Sequence, residues 1–188
     1  MAIGIKAEDL EKKKIFLVLS PAASVRQHNI EIIKTVSSLG FHTVVVTTNF
    51  PYSVLKKIYE QNGVPLDHVT FIDTVTQFSM RTVQNVHGVV RYINNPANLT
   101  DMGIAVTEIL KDLSGKKVCI LYDSISTMLV YLSSHNISKF IHFVTNKLRL
   151  LDISGVFLAV EKGLDPQFLS QLTTFVDEII EFPEEKAG

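Results

Sequence analysis

Apolar residues in this chain fall into short unbroken runs, separated by longer stretches in which they recur every three or four positions. The runs are IFLVL at 15–19, TVVVT at 43–47, VTFID at 69–73, KVCILY at 117–122 and GVFLAV at 155–160. Runs of this length without polar alternation predict strands covered on both faces. A sixth run, EIIEF at 178–182, alternates and stops at Pro183, which predicts an edge strand or the end of the sheet.

The intervening stretches have the helical period. Val25, Ile32, Val36 and Leu39 share one face of a helix that Gly40 stops, and residues 52–62 form a second, closed by Asn62-Gly63. In NLTDMGIAVTEILKDLSG, Asn98 caps the start with Asp101 three residues on. Met102, Val106, Ile109 and Leu113 make the stripe, and Gly115 ends it. Residues 125–132 and 139–151 predict two more helices, separated at the polar pair His135-Asn136, and Asp165-Pro166 opens the last one. Strands alternating with helices predict an α/β fold: a mostly parallel sheet in three layers, with helices on both faces and function beyond the strand carboxyl ends. The exception is 74–97, which holds one candidate strand at 89–93 and few helix signals, and reads as an extended connection or small insertion. The expected organisation is a polar lead-in at 1–13, one domain at 14–183 and a tail at 184–188, without internal repeats.

Composition narrows the classes. At 188 residues, with 46% hydrophobic and 20% charged residues, the chain has the balance of an ordinary soluble globule. A net charge of −1 supplies no field for nucleic acid or an acidic membrane, so neither is an expected partner. The single cysteine, Cys119, lies in an apolar run and reads as a buried thiol, and no CxxC or HxxxH spacing suggests a metal. MAIGIKAEDLEKKK lacks the apolar segment of a signal peptide, and no run approaches the roughly 20 residues that span a bilayer. The expected location is the cytoplasm, where the sequons at Asn98 and Asn136 stay unmodified.

The chemistry centres on the turn after the first strand, SPAASVRQ, because a strand, tight turn and helix is the layout that seats phosphates in many α/β proteins. Laid without gaps on the P-loop pattern GxxxxGK[ST], Ser20 takes the first glycine position. Pro21, Ala22, Ala23 and Ser24 take the variable places, Val25 the second glycine, Arg26 the lysine and Gln27 the magnesium-binding hydroxyl. The ordered set SPAASVRQ, VVVTTNF, VCILYDSISTMLVY, VFLAVEKG and LTTFVDEIIEF, from Lys14 to Phe182, resembles the KaiC branch of the RecA-like ATPases. In particular it is similar to the compact archaeal KaiC-like proteins of unassigned function. LYDSIST resembles that family's Walker B segment: an apolar strand, an aspartate at its tip, then serine. The resemblance implies a RecA-like, P-loop NTPase-like fold with a phosphate turn at 20–27. It also implies a magnesium-associated aspartate at Asp123 and a sensor-like polar position near Glu161. Family ATPases carry a catalytic glutamate after strand two; here Thr47, Thr48 and Asn49 occupy that region.

The replacements work against catalysis. A β-branched valine is poorly suited to positive φ or to close approach of the backbone to phosphate. A guanidinium does not reproduce a compact ammonium, and Gln27 does not replace a small hydroxyl in a magnesium shell. The expectation is a degenerate turn without ATPase activity, catalytic residues, metal or cofactor, in a RecA/KaiC-like module acting as a regulatory or protein-interaction scaffold. Archaeal signal transduction, self-association and pairing with an active paralogue follow from the resemblance. A second reading is a nucleotide-binding switch or slow ATPase that holds ATP and magnesium through Arg26 and Asp123, helped by free amides at the helix start. A third is a flavodoxin-like or receiver-type small-molecule domain; the receiver form needs an acidic cluster where Leu19, Ser20 and Pro21 supply none.

Plainer roles stand beside these. Asp123 and Ser124 also suit a helix cap, Asp73 a turn, and Glu161-Lys162 beside Gly163 a solvated turn. The histidines His28, His42, His87, His135 and His142 form no recognisable ligand set, and Ser20 and Ser24 lack a GxSxG elbow. FSMRTVQNVHGVVRY, 78–92, suits either a partner surface or a cover for the sheet edge.

Overall fold

The computed structural model describes residues 3–80 and 82–183; the expected tail at 184–188 lies outside the described residues. Among the described residues, β1 (Ile15–Ser20), β2 (His42–Thr47), β3 (Val69–Asp73), β4 (Val90–Tyr92), β5 (Val118–Asp123), β6 (Ser154–Val160) and β7 (Glu178–Glu181) form one sheet. Its order is β4-β3-β2-β5-β6-β1-β7, and every pairing of strands is parallel. The apolar runs lie within a residue or two of these strands, with β7 at one end of the sheet and alternating in burial.

Side chains of successive strand residues pack into opposite layers. Phe16, Val18, Val45 and Leu121 meet α2 (Val25–Ser38) and α3 (Tyr52–Gln61), whose Ile30, Ile33, Leu55 and Tyr59 share that cluster. Leu17, Leu19, Val46, Ile120 and Tyr122 face the other layer, built by α5 (Leu99–Asp112), α7 (Ser134–Leu150) and α8 (Pro166–Phe175). The chain is therefore a three-layer α/β fold. Gly155 lets α7 approach β6 closely, because a Cβ there would stand 2.6 Å from Leu148 Cδ1. Gly40, at φ +79°, ends α2 in a conformation other residues rarely adopt.

Four segments differ from expectation. Residues 3–13 are not a solvated lead-in: α1 (Ala7–Glu11) forms, and Ile3, Ile5 and Leu10 are buried against Phe16 and Phe41. Ser154 Oγ donates to the Leu10 carbonyl at 2.8 Å, and the Lys14 ammonium bridges Asp9 and Glu178. α7 begins at Ser134 rather than 139, because Ser133 accepts from the Asn136 amide and the polar first turn lies outward over buried Ile137. The helix expected over 125–132 shrinks to α6 (Ile125–Met128), after which the chain turns. In 74–97 the difference is α4 (Thr76–Met80), which Asp73 caps by accepting from the Val75 and Thr76 amides at 2.8 Å; the strand expected at 89–93 forms as β4, paired with β3 at the sheet edge.

Candidate functional site

In a doubly wound sheet, ligands bind where the connections leaving two neighbouring strands part to opposite faces. That divergence occurs between β1, which leads into α2, and β6, whose chain continues to α8 on the other face, and again between the neighbours β2 and β5, which lead to α3 and α7. β1 and β6 end in register at Ser20 and Val160. Thr47, Asp73 and Asp123 end β2, β3 and β5 on the same side of the sheet, so its carboxyl ends present polar side chains.

The turn itself is closed and conventional. Pro21, Ala22, Ala23 and Ser24 link strand to helix, with the Ser24 amide donating to the Pro21 carbonyl at 3.1 Å. No residue from Ser20 to Gln27 has positive φ, so the alternating left- and right-handed backbone that aims several amides at one phosphate is not formed. Val25 packs against the α2-side core. Arg26 is exposed and its guanidinium lies 4.9 Å from the centre of the Phe50 ring, while Gln27 reaches along the helix to Glu31 at 3.1 Å. Ser20 Oγ is buried, 2.7 Å from His28 Nδ1, and the His28 ring stacks on Phe182 at 3.9 Å.

Asp123 meets a different partner. Its Oδ2 accepts from Asn29 Nδ2 at 3.0 Å, and Asn29 Oδ1 accepts from the Tyr59 hydroxyl at 2.8 Å. This buried chain ties the tip of β5 to α2 and α3. Removal from water pushes the Asp123 carboxyl up to about 7, and burial together with the nearby Asp123 carboxyl raises the Tyr59 hydroxyl above its ordinary value. Asn29 and Tyr59 were absent from the sequence-level candidates, although Asn29 is a polar residue on the apolar stripe that joins Val25 to Ile32 and Ile33. That misplaced polarity was the available signal.

The position expected to lack a catalytic glutamate is occupied by a hydroxyl network. The Thr48 amide donates to the Asp123 carbonyl at 2.8 Å, Thr48 Oγ1 donates to the Ser124 carbonyl at 3.0 Å, and it lies 2.7 Å from Thr127 Oγ1. Ser124 caps α6 through the Thr127 amide, at 3.4 Å. Asp73 is fully buried and also accepts from the Tyr52 amide at 2.7 Å, so it joins the starts of α3 and α4. Glu161 and Lys162 lie exposed in a single helical turn after β6, and His42 is buried against Thr70 at 2.8 Å. Cys119 is buried, and desolvation pushes its thiol up to about 12.

These residues do not fit a magnesium nucleotide. Neither Arg26 nor Gln27 is brought to Asp123, the turn offers no wrapped amides, and Asp123 Oδ2 is bonded inward to Asn29. The main surface grooves lie elsewhere, and none of the residues Ser20 to Gln27 or Asp123 lines them. Among the described residues no helix is long and apolar enough to cross a membrane, and no group of three His, Cys, Asp or Glu could hold a metal ion.

No curated protein matches the chain in sequence. Among solved structures, it is similar to the uncharacterized protein PH0321 from Pyrococcus horikoshii, crystallised in complex with an unknown peptide. The two share 15% identity at a TM-score of 0.61, over 90% of this chain and 77% of that one, a likeness of fold. A family model matches residues 17–182, from within β1 to just past β7, and on that span the chain belongs to DUF7504, a family of unknown function.

Proposed function

We propose that this chain is a non-catalytic module of RecA/KaiC-like descent whose sheet and helices serve as a regulatory or protein-interaction scaffold, working in the cytoplasm in archaeal signal transduction. The observation that carries the reading is the Asp123 contact: the carboxylate that would hold magnesium in an ATPase of this type instead accepts from Asn29 in a buried chain with Tyr59. Phosphoryl transfer depends on positioned charge, so a site with an unwrapped turn, a strand-tip carboxyl bonded inward to Asn29 and Thr47-Thr48-Asn49 where the family has its glutamate has little to offer it. The similar Pyrococcus protein, crystallised with a peptide, supports a fold that presents itself to protein segments. Partners on this reading are other proteins, a second copy or an active paralogue.

The test is phosphate release from magnesium ATP by purified protein beside its Asp123→Asn variant. Equal rates, both at the level of buffer, are expected. Turnover by the wild type that the variant abolishes would establish the alternative, a slow ATPase using Arg26 and Asp123.

A further inference from the structure

α5 and α7 cover the same face of the sheet and leave a long groove between them. Its upper part, about 710 Å³, is lined by Gly103, Ile104 and Phe143 among others. The lower part, about 830 Å³, shares Thr107 and Phe143 and runs on to Leu110, Leu150 and Leu151. Gly103 brings the Phe143 ring against α5, since a Cβ there would already stand 3.3 Å from it. Ile104, Phe143, Leu150 and Leu151 are 45%, 48%, 86% and 49% exposed, which makes the groove and its lip an apolar surface left to water.

The charge around its lower part is predominantly basic. Lys13, Lys111, Lys116, Lys139 and Lys147 line the lower part, against the single carboxylate of Asp152. Among the described residues none of these five lysines is within ion-pair distance of a carboxylate. In the upper part, Glu108 is already paired with Arg91. The whole chain carries only −1, so this basic rim is a local feature rather than a consequence of composition.

We infer that the groove docks an acidic amphipathic helix of a partner protein, its apolar side on Ile104, Phe143 and Leu150 and its carboxylates among the lysines. This names the partner of the scaffold proposed above and rests on that reading. The shape favours a helix over a flat lipid surface, because the trough is concave and runs beside α5, whose 14 residues span about 21 Å. Apolar contact supplies affinity, and the lysines, none of them held by a carboxylate and one, Lys147, lying over the Phe143 ring, supply orientation and a fast, salt-sensitive approach.

The probe is a fluorescein-labelled synthetic helix with leucines at i, i+3, i+4 and i+7 and glutamates along both flanks, titrated with the whole protein while its anisotropy is followed. Saturable binding is expected, weakened by salt and by about tenfold or more in Lys139→Glu/Lys147→Glu, with a separate loss in Leu150→Ser. Leu150 and Lys139 are exposed and Lys147 is half-buried over the exposed Phe143 ring, outside the core, so circular dichroism should find all variants folded. The inference is overturned by absence of saturable binding, by equal binding of a peptide with lysine in place of glutamate, or by insensitivity to the variants. It is also overturned if the protein ignores the peptide and binds phosphatidylserine vesicles through the same residues. Any of these results removes the groove assignment alone, whereas the scaffold reading falls with ATP turnover that Asp123→Asn abolishes.

Discussion

Asp123 and His42 are both buried, and burial moves them in opposite senses. The carboxyl rises from 3.8 to about 7, so the folded chain keeps a proton there that the unfolded chain releases. The imidazole falls from 6.5 to about 4, so the folded chain lacks a proton that the unfolded chain takes up. Between pH 4 and 6.5 the first effect makes stability fall as pH rises and the second makes it rise. In the wild type the two effects therefore oppose each other across that window. Asp123→Asn keeps an acceptor for Asn29 and removes one of the two opposing groups. Its stability should climb by on the order of 1–2 kcal/mol from pH 4 to 6.5 and exceed the wild type at pH 8 by roughly 2–4 kcal/mol. Urea denaturation at several pH values measures both quantities: a flat profile in the variant would contradict the burial of His42, and no gain over the wild type at pH 8 would contradict that of Asp123.

At the scale of elements, the N-terminal segment carries the clearest consequence. Leu10 is fully buried in the layer of α2 and α3, so Leu10→Ala should cost about 3 kcal/mol in chemical denaturation. A solvated lead-in would make the same change nearly neutral. Ser133→Ala should cost about 1 kcal/mol by leaving the first turn of α7 uncapped, whereas a helix beginning at residue 139 would not notice it. The strands were legible because sheet residues buried on both sides write continuous apolar runs, and α5 was legible because Asn98 and its stripe agree. α1 was not legible: five mostly polar residues carry no period, and only the spacing of Ile3, Ile5 and Leu10 hints at a covered face. The site was half legible. Asp123 stood out by its place at a strand tip, but its partners Asn29 and Tyr59 lie on two other elements and converge only in three dimensions.

For the whole molecule, the parallel sheet brings its strand tips to one edge and leaves two unlike regions. One is the switch point beside β1, where Val25 is packed, Arg26 rests on Phe50 and Asp123 is bound inward to Asn29. The other is the apolar, basic groove between α5 and α7, on the opposite face of the sheet from α2. A fold of this kind hosts many functions, and the difference lies in which region is built to meet a ligand. If the proposed function is right, the turn region is structural and the groove meets the ligand. The most direct test of that claim is calorimetric titration of ATP and ADP, with and without magnesium, into the intact protein. The account predicts no heat beyond dilution up to millimolar nucleotide; a saturable, magnesium-dependent isotherm weakened by Arg26→Ala or Asp123→Asn would contradict it.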